Sequence, residues 1–281
     1  MVDTALCLEA LSALSGCSVQ QSGGASQLGP QDFVNIVALR QFYKREGLEQ
    51  LEYPSLGSMS LRDDAVDRDM DDLYSAPPAL TAPPPAPESR PVARVNPDDF
   101  FDRKFDYDFT NIKDGERRFV RGDEPYFRPC GWRRVALNVS GKYDDGSDVW
   151  LGTGSQAWPV SYQGLHMDGS LILTLRKGSK EEGGLLDEAA QSLMDTTDFG
   201  RGIYSTPDVL LAEKHCKTFK SSSNGKTYKV LLQNRISPSR RKVCERDRVW
   251  VVYVPQDHSQ IQTRALVQES VRPYGLLLKE A

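Results

Sequence analysis

The chain has 281 residues, 39% of them hydrophobic, with a mean hydropathy of -0.50, so it is long enough for one or two domains and polar enough that part of it is expected to stay outside a core. A formal net charge of -4 argues against a global basic field for nucleic acid, and no apolar run approaches the roughly 18 residues of a membrane span. Five cysteines, an odd number without a C-x-x-C pair, stand with only three histidines; a disulfide framework or zinc site is not expected, and reduced thiols in an intracellular, cytoplasmic or nuclear protein are.

The first residues carry a mildly signal-like apolar run, but Asp3 and Glu9 stand where a positive segment and an unbroken run belong. Leu8, Leu11 and Leu14 instead predict a helix over Thr4 to Ser15, with Asp3 as N-cap and Gly16 as stop. A second helix begins near Pro30, places Phe33, Ile36, Val37 and Tyr43 on one side, and closes at Gly47. Two such helices cannot build a core alone, so residues 1–74 are expected to be a weakly ordered, largely disordered region. Its helices either dock on the C-terminal domain or fill a partner's groove. Residues 62–73 form an acidic, solvated run. Residues 76–97 hold eight of the 17 prolines, which predicts an extended linker over about 75–98. Pro84 and Pro87 make one PxxP, of a kind that proline-rich linkers supply by chance.

From residue 99 onward aromatics, turn glycines and short apolar runs recur. Strands are predicted at 133–139, 158–163, 170–175, 227–236, 249–254 and 271–278, with short helices at 185–194 and from about 208 to 217. Asp144-Asp145-Gly146 reads as a turn and Val149-Trp150-Leu151 as a further apolar piece. The sequon Asn138-Val139-Ser140 falls in a predicted strand and is discounted. Many strands, few short helices and no regular βαβ alternation give an α+β domain over 99–281.

Two stretches carry the chemistry. Phe199-Gly200-Arg201-Gly202-Ile203-Tyr204-Ser205-Thr206-Pro207 combines glycines that permit close backbone approach with an aromatic at a strand end. Trp158-Pro159-Val160-Ser161-Tyr162-Gln163-Gly164 sets a polar Gln163 beside a glycine. With Val249-Trp250-Val251-Val252 and the closing Arg272-Pro273-Tyr274-Gly275-Leu276-Leu277, their order over roughly residues 126–281 resembles the catalytic core of the ADP-ribosyltransferase and poly(ADP-ribose) polymerase superfamily.

The resemblance implies split mixed and antiparallel sheets with short helices, and NAD as substrate without a metal. In that frame Gln163 stands where the family has a histidine, and the backbone of Gly164 accepts the nicotinamide carboxamide. Gly202 and Ser205 line the cofactor site, and Tyr204 stacks on nicotinamide. Breaking the nicotinamide–ribose bond develops positive charge on the ribose, which a carboxylate stabilises. The family's late glutamate falls here on Arg248 or, with a one-residue shift, on Asp247, the shorter acid left to act.

Two functions follow from different classes. One is a divergent mono-ADP-ribosyltransferase, with Asp247, Gln163 and Tyr204 as catalytic residues and a protein as acceptor. The other is an inactive pseudoenzyme that serves as a protein-interaction module. His166, three residues after Gln163, is expected to face solvent, and His215 and His258 are read as surface residues. Arg240, Arg241 and Lys242 with Arg246 and Arg248 form a basic loop over 240–248; a nucleic-acid phosphate is a conceivable partner there, but a solvated loop is the favoured reading.

Overall fold

Residues 2–61, 90–167, 201–244 and 248–281 are described by the computed structural model. The acidic run 62–73, most of the proline-rich stretch, the expected strand 170–175, the expected helix 185–194, Phe199, Gly200, Arg246 and Asp247 lie outside the described residues.

Helix α1 (Thr4–Ser15) ends at Gly16, whose φ of 73° is the left-handed stop that a glycine accommodates; its N–H donates to the Ser12 carbonyl. Strand β1 (Ser18–Gln21) leads to α2 (Pro30–Arg45), which starts on Pro30 while the Asp32 carboxylate accepts the Gly29 N–H at 2.8 Å. A hairpin of β2 (Gln50–Tyr53) and β3 (Gly57–Ser60) follows. The expectation of a weakly ordered N-terminal region is corrected for these residues. Every position from Phe33 to Leu39 is buried, as are Phe42 and Tyr43, because α2 packs on α1 and β2 and on three elements of the C-terminal half defined below. Sequence periodicity counted one apolar side of this helix; Val34, Ala38, Leu39 and Phe42 add to the others, and seven consecutive buried residues cover every side of its middle turns, whereas Lys44 and Arg45 at its end stay exposed.

The linker is corrected as well: its last part forms β4 (Val92–Val95), which pairs in parallel with β1, and Pro97 opens α3 (Pro97–Phe100) with the Asn96 side chain as cap. Short strands β5 (Tyr107–Asp108), β6 (Phe119–Arg121), β7 (Glu124–Tyr126) and β8 (Arg133–Ala136) precede the 3₁₀ turn Val149–Leu151, read from sequence only as an apolar piece. Then come β9 (Val160–Gln163), β10 (Gly202–Ser205), α4 (Val209–Lys214), β11 (Lys217–Lys220), β12 (Thr227–Ile236), β13 (Arg241–Cys244), β14 (Val249–Tyr253), α5 (Gln260–Ser270) and β15 (Val271–Glu280).

The fold is mixed α+β with antiparallel and parallel pairings. Among the described residues the largest sheet runs β11-β12-β15-β8-β5, and β9 pairs with residues 232–235 of β12, continuing the edge on which β11 pairs with residues 227–230. A three-stranded sheet runs β10-β14-β13. Tyr162 and Thr206 exchange both backbone hydrogen bonds, at 2.7 and 3.1 Å, and so link β9 to β10. Helix α2 lies against α5, β15 and β10, and one apolar cluster extends from Leu6 through Trp132 and Trp250 to Leu278. Helix α5 went unread in the sequence although Ser259-x-x-Gln262 is a capping box, with the Ser259 hydroxyl accepting the Gln262 N–H and the Gln262 side chain accepting the Ser259 N–H.

All five cysteines are free thiols, and burial pushes the Cys7 thiol up to about 11. Among the described residues no helix is long and apolar enough to cross a membrane.

Candidate functional site

Strand β9 is buried along its whole length, and its alternation divides two sets of polar side chains. Tyr162 and Val160 share one face with their cross-strand partners Gln233 and Arg235; the Gln233 amide donates to the Tyr162 hydroxyl at 3.4 Å. Ser161 and Gln163 share the other face with Asn234, which is paired directly to Ser161, and Asn234 Nδ2 donates to Gln163 Oε1 at 3.3 Å. Because Tyr162 is bridged to Thr206, Ser205 leaves β10 on the side to which Gln163 points.

This second face holds four buried polar atoms without a hydrogen-bond partner: Gln163 Nε2, Asn234 Oδ1, Ser161 Oγ and Ser205 Oγ. Native proteins pair nearly all such atoms, so four on one face form a set of donors and acceptors suited to a polyhydroxylated ligand. Gln163 is 0% exposed, so the polar group lies beneath the surface.

Gly164 follows at the strand end. Its carbonyl accepts from Nε2 of Gln41 on α2 at 2.7 Å, and its N–H donates to Met167 Sδ at 3.2 Å. The backbone assigned to a nicotinamide carboxamide therefore already holds a carboxamide from the chain's own helix. At the end of α2, Arg201 pairs with Glu46, and its guanidinium lies 5.1 Å from the Phe42 ring centre. If Gly164 takes a nicotinamide carboxamide as the resemblance implies, Gln41→Ala is expected to leave the fold intact and raise the affinity for free nicotinamide about five- to tenfold, the worth of one competing hydrogen bond; titration calorimetry reads it, and equal affinities count against the shared contact.

The glycines have a second role. A Cβ on Gly164 would lie 2.2 Å from the His215 carbonyl oxygen, and one on Gly202 would lie 2.4 Å from Val251 Cγ1. Tyr204, 1% exposed, alternates to the face of Gly202, away from the polar group at Gln163 and Ser205. The residues singled out in the sequence thus separate into Gln163 with Ser205 on one side and Tyr204 with Gly202 on the other.

No protein-family model matches this chain, and no curated protein or solved structure matches it either.

At the head of β14 stands Arg248, with a positive φ of 50° that few side chains adopt. It pairs with Asp208 at 3.2 Å, and its carbonyl accepts the Thr206 hydroxyl at 2.6 Å. The Asp208 carboxylate also caps α4 through the N–H groups of Leu210 and Leu211. Asp247, the acid expected from sequence, lies outside the described residues.

The basic loop is corrected in part: Arg241 opens strand β13, pairs with Glu124 and stacks 4.0 Å from the Trp250 ring centre. Arg240 pairs with Glu269 at 2.6 Å, and Lys242 lies 5.5 Å from the Tyr253 ring centre. These cations are engaged within the protein. His166 is exposed, whereas His215 and His258 are half-buried. Among the described residues no cluster of three metal-binding side chains exists.

Sequence reading did not single out Ser161, Asn234, Gln41 or Asp208 as site residues. Ser161 stands two residues before Gln163, and Asn234 interrupts an apolar strand, so both left a readable signal. Nothing local marked Gln41.

Proposed function

We propose that this chain is a divergent ADP-ribosyltransferase-like protein that binds NAD or ADP-ribose against β9 and β10. The observation that carries this reading is the set of unpaired buried polar atoms on Ser161, Gln163, Ser205 and Asn234. Gln163 Nε2 supplies a donor, Asn234 Oδ1 an acceptor, and the two serine hydroxyls supply either, which fits the hydroxyls of a ribose. Gly164 receives the carboxamide through its main chain; its carbonyl's hydrogen bond to the Gln41 side-chain amide supports this reading and is displaced by the ligand. Tyr204 forms the buried wall behind Gly202.

Turnover needs a carboxylate held against the ribose as positive charge develops there. In this reading Asp247 is the acid, and an acceptor protein takes the ADP-ribose. A second reading, a binding module without turnover, is favoured by the Arg248–Asp208 pair at the head of β14, which brings a cation to the place where the family carries its glutamate.

Calorimetric titration of the full chain with NAD and with ADP-ribose tests the proposal. Gln163→Leu keeps the side-chain volume and removes the amide, and is expected to weaken both ligands at least tenfold, about 1.4 kcal/mol, the worth of one or two buried hydrogen bonds. Folded protein that binds neither ligand, or a variant that binds as tightly as the parent, overturns the proposal. Binding without label incorporation from NAD into protein selects the module over the enzyme.

A further inference from the structure

On the opposite face of β9 and β12 from Gln163 lies a cavity of about 250 Å³. Three arginines line it: Arg121 from the end of β6, Arg134 from β8 and Arg235 from β12. Tyr274 of β15 stands among them, with its ring centre 5.7 Å from the Arg134 guanidinium and 5.1 Å from that of Arg235. Ser140 and Thr153 add hydroxyls to the wall.

The charge balance of this cavity is unusual for the molecule. The buried Arg272 has Asp144, and the half-buried Arg128 and Arg241 have Asp114 and Glu124. Among the described residues Arg121, Arg134 and Arg235 are in no ion pair, although Arg235 is only 3% exposed. Burial, with the neighbouring charges of Arg121 and Arg134, pushes the Arg235 guanidinium below the ordinary arginine value. Three like charges around a common space repel one another, and an anion between them relieves that repulsion.

Donors remain to meet such an anion. Arg235 gives Nη1 to the Trp158 carbonyl at 2.6 Å and Nη2 to the carbonyls of Leu151 and Gly152, and its buried Nε has no partner. Arg134 gives Nη2 to the Phe105 carbonyl at 2.9 Å, and its Nε is likewise buried and unpaired. Arg121 gives one N–H to its neighbour's carbonyl. A guanidinium carries five N–H groups, so Arg235 keeps two to spare, its Nε–H among them, and Arg121 and Arg134 keep more.

We propose that this cavity is a binding site for a phosphate monoester, with Arg121, Arg134 and Arg235 taking the dianion and the Ser140 and Thr153 hydroxyls completing its shell. A carboxylate offers two oxygens and one charge; a phosphate monoester offers three terminal oxygens and up to two charges, the better match to three guanidinium forks. The cavity is smaller than a typical drug-sized pocket of about 300–1,000 Å³, so it takes the phosphoryl group and little of what bears it. The site is separated by a sheet from the polar group at Gln163 and does not depend on the function proposed for that face.

The test titrates the full chain with inorganic phosphate, ribose 5-phosphate and a short phosphoserine peptide at constant ionic strength, with chloride as the control anion. Phosphate is expected to raise the melting temperature where chloride does not. Arg134→Gln and Arg121→Gln, both at half-buried positions, are each expected to fold as the parent does, read by circular dichroism, and to weaken phosphate at least tenfold. Arg133→Gln, on the exposed partner of Asp108, is expected to bind phosphate unchanged. Tighter binding of the sugar phosphate or of the peptide names the source of the phosphoryl group, and equal binding of all three assigns the site to free phosphate. Equal stabilisation by chloride, or phosphate binding retained in both cavity variants, overturns the proposal.

Discussion

Gly164→Ala is expected to destabilise the protein by about 3 kcal/mol, at the upper end of what overpacking costs, and to lower its melting temperature by roughly 10 °C. The added Cβ would sit 2.2 Å from the His215 carbonyl oxygen, 2.7 Å from the His215 carbonyl carbon and 3.1 Å from the Cys216 nitrogen. All three are backbone atoms, and the same His215 carbonyl accepts the His166 N–H at 3.0 Å, so neither side yields without loss of a hydrogen bond. Gly202→Ala meets a side chain first, Val251 Cγ1 at 2.4 Å. Val251→Ala is therefore expected to recover part of the loss in the double variant, whereas no single side-chain truncation should rescue Gly164→Ala. Denaturant unfolding of the four variants gives the answer; a loss under 1 kcal/mol for Gly164→Ala would mean that the loop carrying His215 moves freely, against the packing described here.

A loss of about 2–3 kcal/mol is expected for Arg272→Met, less than for a fully buried ion pair because its partner can rehydrate. The Arg272 side chain is 8% exposed and grips Asp144 with two hydrogen bonds at 2.6 and 2.8 Å, while the Asp144 side chain remains 50% exposed. The guanidinium also lies 4.6, 5.2 and 4.1 Å from the ring centres of Tyr143, Trp150 and Trp158, so it fastens the whole segment before β9 onto β15. Its hydrogen bonds hold the Asp144 carboxyl below the ordinary carboxylate value. A carboxyl depressed in the folded state contributes stability that is fully present above its unfolded value, about 3.9, and is lost as pH falls through its folded value. The gap between parent and variant should thus be full at pH 7 and narrow below about pH 4. A gap that stays constant to pH 3 would assign the loss to packing between the rings alone.

The polar group at Gln163 was half legible. Gln163 and Ser205 stand in motifs that the sequence displays, but Asn234 reaches them only through the pairing of β9 with β12, 71 residues apart in the chain. The arginine cavity was less legible still. Arg134 and Arg235 read as ordinary strand cations until β15 is laid between β8 and β12 and Tyr274 comes among them.

Local chemistry in the sequence determined where elements begin and stop: Pro30 and Gly47 around α2, Gly16 after α1, Asp208 at the head of α4 and the β-branched run of β14. These signals act within a turn or two of chain, through backbone freedom and capping hydrogen bonds, and need no distant partner. Only the tertiary structure decided that the middle of α2, from Phe33 to Leu39, is enclosed on every side, that residues 92–95 join β1 as a strand, and which arginines have carboxylates and which do not. Those outcomes rest in large part on contacts between distant segments, such as Gln31 with Val271, 240 residues apart, and Arg272 with Asp144, 128 apart, where burial and pairing are set by the whole packed arrangement.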